Sequence, residues 1–131
     1  DVAIFAAAVA DFKVTNKKNE KIKKKDELAL KLEQNVDILS YVSNHNSMRP
    51  KFVAGFAAET NNLEDNAKEK LKNKNCDMII ANDVANEKIG FNSDLNEVTL
   101  FYKDNKKEKL SLKSKSLISD EIVARVNQIL N

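Results

Sequence analysis

An α/β fold, with a parallel sheet crossed by helices and an antiparallel hairpin added at one edge, is what this sequence predicts. Three observations lead there. Short apolar runs open at Val2, Lys51 and Asp77; stretches with helical spacing separate them; and two segments near the C-terminus are close enough to pair through a tight turn. Parallel neighbours need a long crossover whereas a hairpin closes in a few residues, so connection length carries the topology.

The first run, Val2 to Ala10, has the length and small or β-favouring residues of a buried strand and ends in a polar turn at Asp11. A Lys/Asn-rich loop, Lys13 to Asn19, follows. Glu27 to Glu33 alternates with period two, which places Leu28, Leu30 and Leu32 on one face of a half-exposed strand. Asn35 or Asp37 can cap a short helix running to about Asn44, with Ile38, Leu39 and Val42 inward. Lys51 to Ala58 reads as a second buried strand. Leu63, Ala67 and Leu71 then recur at steps of four, and Asn61 with Glu64 makes a capping-box pattern ahead of that helix. Asp77 to Ala81 is a third short strand, closed by Asn82 and Asp83. After a loop from Ala85 to Asp94, Glu97 to Lys103 and Glu108 to Leu112 form the hairpin, turning near Asp104 and Asn105. A last helix from about Ser116 sets Ile118, Ile122, Val126, Ile129 and Leu130 on one stripe.

The chain of 131 residues, 42% apolar, is the size of one core, so residues 1–131 are read as a single domain. Twenty-two basic against 20 acidic residues leave a net charge of +2, which argues for neither nucleic acid nor an anionic membrane as partner. No apolar run reaches membrane-spanning length, which predicts a soluble protein. Asp1 leads straight into the first strand without a methionine or a leader, which predicts that further chain precedes it. A single cysteine, Cys76, excludes an internal disulfide and fits a reducing cytoplasm; it reads as a packing residue. His45 stands in a polar run with no second ligand at metal-binding spacing, so it reads as a loop residue and no metal ligands are assigned.

In an open parallel sheet, ligands bind beyond the carboxyl ends of the strands, where loops and helix starts present free backbone groups. Asp11, Glu59 with Thr60, and Asn82 with Asp83 stand at such ends, and neighbouring strands would bring them to one crevice. Each is equally an ordinary turn or cap residue. The same holds for the lysines. Lys21 to Lys25 is dense enough to meet phosphate, and Lys70 with Lys74 share a helix face, but pairs at 17 and 21, 21 and 25, and 68 and 72 have the same spacing. With glycine only at 55 and 90, neither a GxGxxG nor a GxxxxGK[ST] phosphate loop exists in the chain.

Taken in order, AAVADF (7–12, ending in Asp11-Phe12), KIKK (21–24), NVDIL (35–39), GFAAET (55–60), ANDV (81–84), GFNSDLNEVTL (90–100) and LSLKSK (110–115) resemble the phosphopantothenoylcysteine synthetase family, in its C-terminal portion. Each string alone is weak. In this order and spacing they are specific.

The resemblance implies a Rossmann-like sheet lacking its N-terminal strand-helix part, with the family's Gly/Ser-rich phosphate segment unmatched here. It implies a phosphopantothenate-cysteine ligase of coenzyme A biosynthesis, joining 4′-phosphopantothenate to L-cysteine with CTP and Mg²⁺ through an acyl-cytidylate. It also implies a cytoplasmic homodimer, and the half-exposed strand around Lys21 to Glu33 is the place that invites such pairing. FMN would belong to an absent fused decarboxylase domain. The nucleotide pocket would use Phe5, Ala6, Ala7, Asp11, Lys21, Asn35, Val36, Asp37, Ile38, Phe56, Lys70 and Lys74, with Lys21 catalytic. Val36 replaces the family's proline, so the turn loses a fixed φ and keeps its polar groups. On the residues alone, two other readings stay open: a Rossmann-like module for a different nucleotide, and a dimerisation fragment without complete catalysis.

Overall fold

The computed structural model describes residues 1–23, 29–84 and 93–131. Its main sheet has the order β1 (Val2–Phe5), β4 (Phe52–Glu59), β5 (Met78–Asp83), β6 (Leu95–Tyr102), β7 (Lys107–Ser114). β1, β4 and β5 are parallel, and β6 and β7 continue the sheet antiparallel. Among the described residues three helices accompany it: α1 (Ile38–Ser43), α2 (Leu63–Asn73) and α3 (Lys115–Leu130). The α/β class, the parallel core and the C-terminal hairpin are therefore as the sequence predicts.

Period-two alternation distributes the strands' side chains between two cores. Phe52, Ala54, Met78, Ile80, Val98, Leu100 and Leu110 meet Ile118, Ile122 and Val126 of α3. Ala57, Ile79, Ala81 and Phe101 meet Ala67 and Leu71 of α2, with Cys76 and the half-buried Leu39 and Leu63. Cys76 is thus the packing residue expected, and burial pushes its thiol up to about 11.

α1 lies close against β4 because Gly55 has no side chain: a Cβ there would stand 2.5 Å from Leu39 Cδ2. Arg49 then ties the far end of α1 to the sheet. Its Nε donates to Ser43 O at 2.7 Å, and Nη2 donates to Asn75 O at 3.0 Å and to Asp77 Oδ2 at 2.9 Å. The other end of α2 closes in a Schellman turn, with Asn75 left-handed at φ 52, Asn75 N–H on Lys72 O and Cys76 N–H on Leu71 O. Ser43 Oγ donates to Lys74 O, so the C-terminal ends of α1 and α2 are joined.

Several boundaries differ from expectation. The first strand stops at Phe5, and Val2 and Ile4 stay exposed, because β1 is at the edge of the sheet and only β4 pairs with it among the described residues. β2 (Phe12–Val14) runs into the start of the Lys/Asn-rich loop and pairs antiparallel with β3 (Leu32–Gln34) as a separate two-stranded arm. β3 is only the end of the alternating segment. Leu30 and Leu32 face solvent because no described helix or sheet covers that face of the arm, while Glu27 and Leu28 lie outside the described residues. The Asn61–Glu64 capping box does not form: Asn62 is the N-cap in a left-handed conformation without a side-chain cap bond, and Asn61 O accepts from Asn66 Nδ2 instead. Asp37, not Asn35, caps α1, accepting from Ser40 N–H at 3.0 Å. Ile38, Ile129 and Leu130 are exposed rather than inward, since α1 is a helix of six residues and the last turn of α3 runs past the sheet. β5 continues through Asn82 and Asp83, held by register with Ala58 and Glu59. His45 is in a turn, as expected, with Nδ1 accepting from Met48 N–H at 3.1 Å. The loop from Ala85 is described only from Ser93.

Candidate functional site

At the carboxyl ends of β1 and β4, a cavity of about 500 Å³ is lined by Phe5, Ala7, Ala8, Val9, Ala10, Asp11, Gln34, Asn35, Val36, Asp37, Ile38, Leu39, Phe56, Lys70 and Lys74. Four segments far apart in sequence build it. The chain after β1 supplies small residues that leave room; the turn after β3 supplies polar groups; β4 supplies the Phe56 ring; and α2 supplies two lysines one turn apart. The first two are stitched together by Asn35, whose Nδ2 donates to Ala10 O at 2.7 Å and whose backbone N–H donates to Asp11 O at 2.8 Å.

The two lysines arrive with carboxylates. Lys70 Nζ is 2.6 Å from Glu59 Oε1, and Lys74 Nζ is 3.1 Å from Asp37 Oδ2. Burial pushes the Asp37 carboxyl up, but the Ser40 amide and the Lys74 ammonium together outweigh it and hold the group below the ordinary range. Burial likewise raises Glu59, and Lys70 with Asn66 more than reverses it. Such depressed groups add stability above their unfolded pKa of about 4 and lose it as pH falls through the folded value. Glu59→Gln is therefore expected to flatten the fall of Tm as pH drops below about 5. A curve parallel to the wild type would show that Glu59 contributes nothing.

Of the residues the family resemblance selects, Phe5, Ala7, Asp11, Asn35, Val36, Asp37, Ile38, Phe56, Lys70 and Lys74 line this cavity. Ala6 lines an adjoining one of about 430 Å³ on the α3 side, which shares Ala7, Ala8 and Phe56 and also receives Asn82, Lys115 and Ser119. Lys21 lines neither: it is exposed on the connection between β2 and β3. Lys24 and Lys25 of the basic cluster lie outside the described residues. The expected convergence of strand-end acids is partial. Asp11 reaches the cavity, Glu59 stands behind Lys70, and Asp83 is exposed at the end of β5.

Lys68 and Lys72, spaced like Lys70 and Lys74, point elsewhere, and Lys68 pairs with Glu64 at 2.7 Å. The pocket residues expected from sequence leave out Ala8, Val9, Ala10, Gln34 and Leu39 in the lining, and Asn66 behind it; no local signal marks them. A larger cavity, about 740 Å³, opens at the opposite end of the sheet between the hairpin and α3. Its cations are already matched: Lys51 with Asp1, Lys103 with Asn75, Lys106 with Asp104, Lys107 with Glu64 and Arg125 with Glu108. Among the described residues no group of three or more His, Cys, Asp or Glu side chains is placed to hold a metal, and no helix is long and apolar enough to cross a membrane.

A Rossmann-like α/β domain with a small-residue crevice and two converging lysines at its strand ends is the class these features define. The chain belongs to the family described as the DNA/pantothenate metabolism flavoprotein C-terminal domain, whose model matches residues 1–130. It is 48% identical over 126 residues to the coenzyme A biosynthesis bifunctional protein CoaBC of Haemophilus influenzae, covering 95% of this chain and 31% of that one. Against the CoaBC protein of Escherichia coli K12 it is 44% identical over 136 residues, covering 98% and 33%. The chain thus spans about a third of the length of these curated relatives. Among solved structures, the C-terminal domain of a CoaBC protein superposes with a TM-score of 0.75 at 33% identity, over 99% of this chain and 55% of the other. A DNA/pantothenate metabolism flavoprotein from Streptococcus pneumoniae shares the fold, with a TM-score of 0.70 at 22% identity, over 99% of this chain and 61% of that one.

Proposed function

We propose that this domain is the nucleotide-binding part of a CTP-dependent phosphopantothenate-cysteine ligase in coenzyme A biosynthesis. The observation that carries the reading is the convergence of Lys70 and Lys74 with Asp11, Asn35 and Phe56 on one strand-end cavity, in a chain of this family. The names of the CoaBC relatives supply the pathway.

A carboxylate acylates poorly until it carries a good leaving group. In the proposed reaction a carboxylate oxygen of 4′-phosphopantothenate attacks the α-phosphorus of CTP and pyrophosphate departs. The cysteine amine then attacks the acyl carbon, loses a proton and expels CMP. Phe56 and the alanines after β1 would receive the base and ribose, and Lys70 and Lys74 would hold the triphosphate. Lys21 would come from the β2–β3 arm, which leaves this site after Asp11 and returns to it at Asn35. Mg²⁺ would screen charge on the triphosphate; with no acidic cluster among the described residues, it is proposed to ride on phosphate oxygens and water. FMN is proposed for a decarboxylase domain and not for these residues.

The arm is also the proposed homodimer surface: Phe12, Ile22, Leu30 and Leu32 are exposed there, and Thr15 Oγ1 is buried without a partner. The family's Gly/Ser-rich phosphate segment has no match here, so the 131 residues alone are proposed to bind nucleotide without completing the ligation. A cytoplasmic location belongs to the same proposal.

The test is the melting shift with Mg²⁺ plus CTP, ATP, GTP or UTP. At about 100 times its Kd a ligand adds roughly 2.7 kcal/mol, several degrees for a domain of this size. A shift largest with CTP is expected. An equal shift with ATP would overturn the base assignment, and no shift with any nucleotide would overturn the pocket.

A further inference from the structure

The geometry points to Glu59 as a positioning residue that holds Lys70 aimed at the triphosphate, an inference that rests on the nucleotide reading above. Glu59 ends β4, where its backbone is held against β5: it is in register with Asp83, and its carbonyl accepts from Val84 N–H at 2.9 Å. Its carboxylate is used at both oxygens. Oε1 takes Lys70 Nζ at 2.6 Å, and Oε2 takes Asn66 Nδ2 at 2.8 Å, from one turn earlier on α2.

Exposure separates the roles of the two partners. The Glu59 side chain is 11% exposed and does not line the cavity, whereas Lys70 is 40% exposed and does. A ligand in the cavity therefore meets the ammonium and not the carboxylate behind it. An ammonium has three donors, so one bond to Glu59 leaves two for phosphate oxygens. A free lysine side chain samples many rotamers, and a phosphate that captures one must first freeze it. With Glu59 in place, that ordering is done before the ligand arrives.

Lys74 is held differently. Its partner Asp37 lines the cavity itself and is 44% exposed, so an incoming phosphate meets Asp37 as a competitor. Glu59 cannot compete in that way. Its removal should therefore weaken anion binding at Lys70 rather than strengthen it.

The experiment is a double-mutant cycle in the full-length protein, Glu59→Gln with Lys70→Ala, read as the Kd of Mg²⁺-CTP by calorimetry at 25 °C and as KM and kcat separately. Gln keeps the length of the side chain but meets either Lys70 or Asn66 with an N–H donor. Glu59→Gln alone should weaken CTP about 3- to 10-fold, raising KM with kcat little changed, and should add nothing once Lys70 is alanine. Asn66→Ala should weaken CTP in the same direction by less, again only when Lys70 is present. A purely structural Glu59 would lower Tm and leave the Kd at 25 °C unchanged, which would overturn the proposal. Equal weakening with and without Lys70, or tighter binding in Glu59→Gln, would overturn it as well. If wild type binds no nucleotide, the nucleotide reading falls first and this inference falls with it.

Discussion

Leu100→Ala should lower the unfolding free energy by about 3 to 4 kcal/mol, the range for a leucine truncated in a core that cannot collapse around the gap. Leu100 is fully buried in the middle of β6, in register with Ile80 of β5 and Glu108 of β7. Its side chain belongs to the core between the sheet and α3, with Met78, Ile80, Ile118 and Ile122. The hydrogen-bonded strands on both sides and the helix above leave little that can move inward. For a chain of this size the loss corresponds to a fall in Tm of roughly 10 to 15 °C. Urea unfolding should show a lower midpoint with an unchanged slope. A loss under about 1 kcal/mol would mean that α3 settles into the space, and that the sheet and helix are less tightly bound than their shared buried residues indicate.

The second large effect is on chemistry. If Lys21 plays the catalytic role proposed for it in the ligase reaction, Lys21→Ala in the full-length protein is expected to reduce turnover about 10²- to 10³-fold, the usual consequence of removing one group that stabilises developing negative charge. Binding should change far less, because Lys70 and Lys74 line the strand-end cavity proposed for the nucleotide and Lys21 does not. The division of labour is thus testable in one pair of variants. Lys70→Ala should raise the KM for CTP and the Kd, whereas Lys21→Ala should lower kcat and kcat/KM together. Release of pyrophosphate in a single turnover would locate the loss at the first step. Unchanged turnover in Lys21→Ala would remove that lysine from the chemistry, and a change in KM alone would make it a binding residue.

Most of the sheet was legible from one-dimensional pattern. Continuous apolar runs identified β4 and β5, spacing of four identified α2, and a polar turn between two pairing segments identified the β6–β7 hairpin. These signals are local because they come from side chains meeting one continuous surface. The β2–β3 arm was not legible as a pair. Its partners, Phe12 to Val14 and Leu32 to Gln34, are some twenty residues apart, and although the segment ending in β3 alternates, Phe12 to Val14 carries no matching pattern that would record the pairing. The α2 start was misread for a related reason. A capping box is a choice between neighbours, and Asn66 and Glu59 offered Asn61 and its surroundings a tertiary alternative.

Pattern along the chain was enough for the fold class, for the places of the strands and helices that face the two cores and, through the ordered motifs, for the family. Spacing along the chain could not choose between Lys70/Lys74 and Lys68/Lys72, because both pairs satisfy the same helical geometry. Only the packing of α2 over β4 and β5 turned the first pair to the cavity and the second away from it. Nor could it say that Glu59 stands behind Lys70 while Asp37 shares the cavity with Lys74. Those relations depend on distances between segments brought together by burial, and tertiary structure decides them because a carboxylate acts on whatever charge lies within a few ångströms, however far away it is in the chain.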